Sequence, residues 1–341
     1  MMKFKIILKI FIRTFLTFLM LIFLIIILSF RRDVSKESME KTYFTDQSNY
    51  ITLTIDTLDE SLVTIDVHYI DYGDLNDPVI VLLHGAFSSS HTFLPWMDEL
   101  VQLGYRIIAI DLPNHGLTGG FSDNIISQRR SAAIVKAILD HLFINECIIG
   151  GNSMGGGVAW EFASEYHQMS GFTVNGLILI DAVFPSMESS RPAESALFKS
   201  SFVSNFVSKF TPKVLMKIIL KGVYGSNSSI DPVILDRYYD LLRVEGHRSS
   251  LLSSVEEVKA ENSLSGEARL TKIKEANIPI LIMWGEEDRW ISVDYAFSFQ
   301  TALSLDDHDM IIYEGIGHVP MEENPNLTLV DLLSFLNNIE T

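Results

Sequence analysis

The sequence predicts an α/β protein: a mostly parallel, doubly wound sheet, interrupted by a helical insertion and preceded by one long apolar helix. Three observations carry this. Short unbroken apolar runs alternate with helical periodicity from residue 79 to residue 338, the pattern of strands buried on both faces and joined by crossover helices. An interval of 99 residues separates the runs Leu177–Ile180 and Ile280–Met283, far longer than a single strand-to-helix connection. Near the start, the 17 residues Thr14–Phe30 carry no charge.

The apolar helix comes first. Lys3, Lys5, Lys9 and Arg13 precede the run TFLTFLMLIFLIIILSF, and Arg31-Arg32 follow it. At a rise of ~1.5 Å per residue the run spans roughly 26 Å, slightly short of a hydrocarbon core of roughly 30 Å. Arg13 and Arg31 can snorkel to close the gap. A cleaved signal peptide shares the basic start and apolar run. Here the run closes on bulky Leu28 and Phe30, and no small-x-small cleavage site follows closely. Residues 1–48 are therefore expected to be an uncleaved single-pass transmembrane helix and its polar linker. Bases flank the span on both sides, so the positive-inside rule barely discriminates. The expected orientation, by first-helix habit, puts the following domain outside the cytoplasm.

Beyond the linker, Tyr50–Asp56 and Leu62–Tyr69 alternate apolar and polar residues, as half-buried antiparallel strands do. The buried runs follow at Val79–Leu83, Ile107–Ile110, Cys147–Ile149, Leu177–Ile180, Ile280–Met283 and Met310–Ile312. Helical patterns lie between them at Thr92–Leu103, Arg129–Leu142, Met154–Tyr166, Val293–Leu303 and Leu327–Asn338. The expected division is a core in two parts, 49–183 and 277–341, with a helical cap at 184–276 that includes the patterns Leu197–Phe210 and Lys213–Leu220.

Composition narrows the function. Of 341 residues 48% are hydrophobic and 20% charged, which supports a large core and excludes intrinsic disorder. The net charge of −17 divides into +5 for residues 1–41 and −22 for the remainder. An acidic domain lacks the basic face that nucleic acid requires. A single cysteine, Cys147, rules out an internal disulfide framework and a cysteine-based zinc site. No metal cluster or cofactor motif is present, so neither a metal nor a cofactor is expected. The oligomeric state is left open.

The chemistry falls at strand ends. Gly151-Asn152-Ser153-Met154-Gly155 stands between the run Cys147–Ile149 and a helical segment. A serine on a tight strand-to-helix turn, flanked by glycines where a Cβ would clash, is the arrangement of a nucleophile elbow. The helix N-terminus behind it offers free N–H groups to a developing oxyanion. Upstream, Val79–Leu83 ends in His84-Gly85-Ala86-Phe87, a turn that can supply the N–H of Ala86 beside that of Met154. His84 is read as a loop-shaping residue.

Serine needs a base that is itself oriented by an acid. Among nine histidines, His318 in Gly317-His318-Val319-Pro320 follows the last strand run. His91 and His115 also sit in strand-end loops and could line a pocket, but not in the chain order serine, acid, histidine. For the acid, Asp288 in Gly285-Glu286-Glu287-Asp288 is favoured, and Asp181, at the end of the preceding strand, is its rival.

Together these residues resemble the α/β-hydrolase family over about residues 50–340. Asp111-Leu112-Pro113-Asn114-His115-Gly116 is similar to the family's Asp-x-Pro-Gly-His-Gly loop, with Asn114 in place of the usual glycine. The resemblance implies Ser153 as nucleophile, His318 as general base and acid, Asp288 as its orienter, and Ala86 and Met154 as oxyanion donors. Serine at the elbow argues against the dehalogenase and epoxide hydrolase branches, which use aspartate there, and no His-x4-Asp acyltransferase motif is found. The expected activity is that of a membrane-anchored serine hydrolase cleaving small-molecule or lipid carboxylic esters, a lipase or carboxylesterase. A C–C bond hydrolase of ring-cleavage products would use the same triad, with a committed cation such as Arg191 or Arg289. A binding module on a hydrolase scaffold is the third reading.

From Ser195 to Ile230 the insertion has five lysines and no acid, and Lys213, Lys217 and Lys221 fall on one helix face among apolar residues. Such a helix either lies on an anionic bilayer or packs over a pocket with a solvated lysine edge.

Overall fold

The two alternating segments and the six continuous apolar runs become eight strands of one sheet. In the computed structural model, which describes residues 2–56, 62–121, 127–189, 206, 208–253 and 264–339, these are β1 (Ser48–Asp56), β2 (Leu62–Tyr72), β3 (Val79–Leu83), β4 (Arg106–Ile110), β5 (Glu146–Asn152), β6 (Thr173–Ile180), β7 (Ile280–Gly285) and β8 (Met310–Tyr313). Their order is β1-β2-β4-β3-β5-β6-β7-β8. The β1–β2 and β2–β4 pairs are antiparallel and the rest parallel. The alternating strands sit at the antiparallel edge, and the continuous apolar runs fill the parallel interior, where both faces are covered.

The helices are α1 (Met2–Ser29), α2 (Lys36–Tyr43), α3 (Leu94–Gln102), α4 (Gln128–His141), α5 (Met154–Tyr166), α6 (Lys213–Val223), α7 (Pro232–Leu242), α8 (His247–Ser253), α9 (Gly266–Glu275), α10 (Asp294–Leu303), α11 (Pro320–Glu323) and α12 (Pro325–Ile339). Alternation along β3 shows how the sheet holds two cores. Val81 and Leu83 face one, with Ile134, Val135, Phe162, Leu270 and Phe299 of α4, α5, α9 and α10. Ile80 and Leu82 face the other, with Trp96, Leu100, Leu332 and Leu336 of α3 and α12. Successive strand residues point to opposite faces, so each strand stitches both cores to one backbone.

The second core also receives Met216 and Leu220 of α6 and Tyr238 and Tyr239 of α7. These belong to the segment between β6 and β7, whose α6 covers the expected Lys213–Leu220 pattern. The other pattern expected there, Leu197–Phe210, lies mostly outside the described residues.

Within the polar linker the chain folds into α2, capped by the Ser35 hydroxyl, which accepts from Ser38 N–H at 3.3 Å. Tyr43 donates to Asp240 at 3.2 Å and Tyr50 to Glu40 at 2.7 Å, so the segment is docked on α7 and β1 rather than free. In α1 the apolar side chains from Ile10 to Leu28 that are described stand exposed apart from the rest of the chain, Phe11 and Phe18 among them. Among the described residues, which leave out the α1 side chains at 2–8, 22, 25 and 26, no helix is long and apolar enough to cross a membrane.

Candidate active site

β5 delivers Ser153 directly into α5. The serine has φ 54° and ψ −117°, a left-handed conformation that costs a non-glycine residue roughly 1–3 kcal/mol and persists only where its surroundings over-determine it. Here they do. Ser153 N–H donates to Ile180 at 2.9 Å, and its carbonyl accepts from Gly157 at 3.1 Å and Val183 at 3.0 Å. The flanking glycines are required by clearance. A Cβ on Gly151 would lie 2.3 Å from Gly155 backbone, and one on Gly155 would lie 2.2 Å from the Leu83 carbonyl oxygen.

The turn after β3 passes against this elbow. A Cβ on Gly85 would stand 2.7 Å from Asn152 Oδ1. His84, fully buried, accepts Leu112 N–H on Nε2 at 2.9 Å, so Nδ1–H donates to Gly85 O at 2.7 Å. Burial lowers its pKa, and the neutral ring staples two loops, the shaping role expected of it. Among the described residues neither Ala86 N–H nor Met154 N–H has a hydrogen-bond partner, as a pair of donors waiting for a ligand oxygen would require.

The acid and base come from β7 and β8. His318 Nδ1 lies 2.6 Å from Asp288 Oδ2. The other carboxylate oxygen of Asp288 accepts N–H from Trp290 at 2.7 Å and from Ile291 at 3.0 Å. Asp288 therefore presents one fixed oxygen to the imidazole, which makes Nδ1 the protonated nitrogen and leaves Nε2 as the basic one. Ser153 and His318 line the same cleft. The structure thus brings together the three residues picked out by their order in the chain.

Asp181 is close by. Its Oδ1 accepts Gly285 N–H at 3.0 Å, and polar atoms of Asp181, Asp288 and His318 lie within 4.8 Å of one another. Burial, then the charge of Asp288, push its carboxyl well above the usual range. Three such groups are also spaced to enclose a metal ion. The His318–Asp288 hydrogen bond and the two N–H groups on Asp288 already engage most of those ligand atoms.

Several site residues carried no signal in the sequence. Asn152 donates to His318 O at 2.8 Å and so ties the elbow to the histidine loop. Trp290 stacks on the His318 ring at 5.9 Å and 22°. Val223, at the end of α6, accepts His318 N–H at 2.7 Å. Glu323 receives both Gly225 N–H at 2.8 Å and Gly317 N–H at 3.0 Å. His91 and His115, which could have lined the pocket, are instead buried beneath it against Tyr43 O and Pro113 O. Asn114 has φ 63°. It keeps the left-handed turn for which glycine is the usual choice, because asparagine tolerates that conformation better than most side chains.

The cleft is lined by Phe87, Met216, Ile219, Leu220, Val223 and Trp290 besides the polar groups around Ser153. No lysine or arginine lines it among the described residues. Arg289 is exposed at the surface, and Arg191 lies outside the described residues.

An eight-stranded sheet with a serine elbow after β5 and a histidine–aspartate pair after β8 and β7 is the arrangement of a hydrolase, and the chain belongs to the alpha/beta hydrolase family, which it matches over residues 80–332. Its relatives include a 2-hydroxy-6-oxononadienedioate/2-hydroxy-6-oxononatrienedioate hydrolase of a Pseudomonas species, 25% identical over 297 residues, covering 79% of this chain and 91% of that one. The fold is shared with a membrane phospholipase A, at 21% identity and a TM-score of 0.63, covering 86% of this chain and 87% of that one. An esterase of Thermogutta terrifontis superposes with a TM-score of 0.66 at 18% identity, covering 86% of this chain and all of that one.

Proposed function

We propose that the protein is a membrane-anchored serine hydrolase that cleaves carboxylic esters, as lipases and carboxylesterases do. Ser153 Oγ attacks the ester carbonyl while His318 Nε2 takes its proton. Asp288 holds the imidazolium by its Nδ1–H. The N–H groups of Ala86 and Met154 receive the oxyanion. The tetrahedral intermediate expels the alcohol, which leaves with the proton from His318, and an acyl-enzyme remains. Water, deprotonated by His318, then attacks the acyl carbon, and the acid departs as Ser153 recovers its proton.

One observation carries the ester reading: the cleft walls are apolar, with no cation among the described lining residues. An acyl chain suits such walls. The C–C hydrolase reading draws on the relatives named above, whose substrates are dicarboxylates by name, and a dicarboxylate calls for a fixed cation. The segment 184–276 acts as the cap that supplies the apolar wall. The charge-free run Thr14–Phe30 serves as a single-pass anchor, supported by a continuous helix of 28 residues with exposed apolar side chains and by a structural neighbour described as a membrane enzyme. The catalytic domain lies on the non-cytoplasmic side.

Two measurements test this. Ser153→Ala removes labelling by a fluorophosphonate probe and abolishes turnover while the chain stays folded; retained activity refutes the triad, and absence of labelling in the unmodified protein would indicate a binding module. A series of nitrophenyl esters on detergent-solubilised protein then places the substrate. Preference for long chains marks a lipase and for short ones an esterase. No hydrolysis by a protein that still labels restores the C–C reading.

A further inference from the structure

Helix α6 has two working faces. Met216, Ile219, Leu220 and Val223 line the cleft. On the other side Val214 and Ile218 are 60% and 61% exposed and Leu215 is 41% exposed, an unusual concentration of aliphatic surface for eleven residues. Lys217 and Lys221 are exposed beside them. Lys213 pairs with Asp236 of α7. Among the described residues no carboxylate forms an ion pair with Lys217 or Lys221, and the stretch from Ser195 to Ile230 has no acidic residue. In a domain of net charge −22 over residues 42–341, this face combines bare aliphatic groups with positive charge that no described carboxylate pairs.

The end of the N-terminal apolar helix is fixed beside this face. Arg31 N–H donates to Lys209 O at 2.6 Å, and the Phe30 ring packs edge-on against Phe210 at 5.6 Å. Both contacts fall a few residues before α6 begins. Arg248 holds the same segment through Arg31 O at 2.9 Å and the carboxylate of Asp33. Val34 pairs with Val244, its N–H on Arg243 O at 2.8 Å and its carbonyl accepting Glu245 N–H at 3.1 Å. The emergence point of α1 and the start of α6 are therefore held by one rigid set of contacts.

We propose that the outer face of α6 docks on the anionic surface of the bilayer that α1 enters, so that the cleft behind α6 receives its acyl chain from the leaflet. The proposal rests on the anchor reading above. Continuity with the emergence of α1 selects the occupant, and charge complementarity selects the lipid. Val214, Leu215 and Ile218 enter the interface while Lys217 and Lys221 meet lipid phosphates.

The test uses the full chain in lipid nanodiscs. Cys147 is buried, so a cysteine introduced at Ile218 or, as a control at the opposite edge of the sheet, at Gln102 is labelled alone. The expected result is that the Ile218→Cys label is quenched by spin-labelled lipid in phosphatidylglycerol discs, less so in phosphatidylcholine discs, while the Gln102→Cys label is quenched in neither. Reversal at Lys217→Glu and Lys221→Glu lowers docking about fivefold per lysine or more and leaves hydrolysis of a short soluble ester unchanged. A label at 218 that stays unquenched in chain-loaded discs overturns the docking alone, and equal quenching in the two lipids overturns its charge selectivity. A chain that does not load into discs overturns the anchor instead. Shielding that rises with protein concentration in detergent identifies a second copy as the occupant and also overturns the proposal.

Discussion

Replacing Asp181 by asparagine distinguishes the two carboxyl groups beside His318. Asp181 is fully buried, and its polar atoms lie within 4.8 Å of those of Asp288 and His318. Two ionised carboxylates so close together repel one another, which disfavours the charged form of Asp181. Burial adds its own penalty to the charged form and is the larger cause of the raised pKa of Asp181. Asp181 is thus the carboxyl of the two that burial and its neighbour's charge push toward the neutral form, and a carboxamide reproduces that form's charge and shape. Its Oδ1 can keep the Gly285 N–H. Asp181→Asn is expected to change the rate of fluorophosphonate labelling of Ser153 by less than about threefold, well under 1 kcal/mol of barrier. Asp288→Asn removes the acceptor that sets the His318 tautomer and lowers turnover by about 10⁴-fold. Labelling rates at pH 7.5 need no knowledge of the natural substrate, so the comparison can be made at once. An Asp181→Asn rate as low as that of Asp288→Asn would falsify the assignment and make Asp181 the ionised partner.

Two other expectations concern stability. Gly155→Ala puts a Cβ 2.2 Å from the Leu83 carbonyl oxygen, backbone that cannot turn aside; overpacking of this kind costs typically 1–3 kcal/mol. A drop in thermal midpoint of several degrees is expected, and an unchanged midpoint contradicts the packing described. His84, His91, His115 and His247 all have pKa values lowered from 6.5 by burial, His115 to about 3. The unfolded chain takes up these protons as pH falls through 6.5 while the native chain resists, so stability is full above that value and declines below it, down to about pH 3 for His115. For His115 the loss reaches about 2 kcal/mol at pH 5. Urea midpoints measured at pH 7.5 and pH 5 check this, and equal midpoints refute it.

How much of this was legible in the sequence depends on whether the cause is local. All eight strands were, six because continuous apolar runs have few other uses than the interior of a parallel sheet and two because strict alternation marks a half-buried antiparallel edge, and Met154–Tyr166 was bounded by the elbow on one side and His167 on the other. Ser153, Asp288 and His318 could be named because strand ends on one edge of such a sheet must meet. Asn152, Trp290 and Val223 could not. Their roles rest on contacts across 166, 28 and 95 positions with His318, and no periodicity records such a distance. The docking of the linker was also hidden, since Arg248 and Asp33 are ordinary charges until folding pairs them. Asp181 was visible as a rival acid, yet its burial against Asp288 was not.

The bond from His318 N–H to Val223 O, with Gly225 packed where a Cβ would lie 2.7 Å from Gly317 N, has a consequence for how this protein can be remodelled. The segment between β6 and β7 is fastened to the backbone that carries His318, the base in the proposed mechanism. A segment transplanted from a relative would have to reproduce that seam, or it would pull the imidazole out of line with the serine. Selectivity is therefore open to change through the side chains of α6 that face the cleft, Met216, Ile219 and Leu220. Wholesale exchange of the insertion would alter the catalyst together with its specificity.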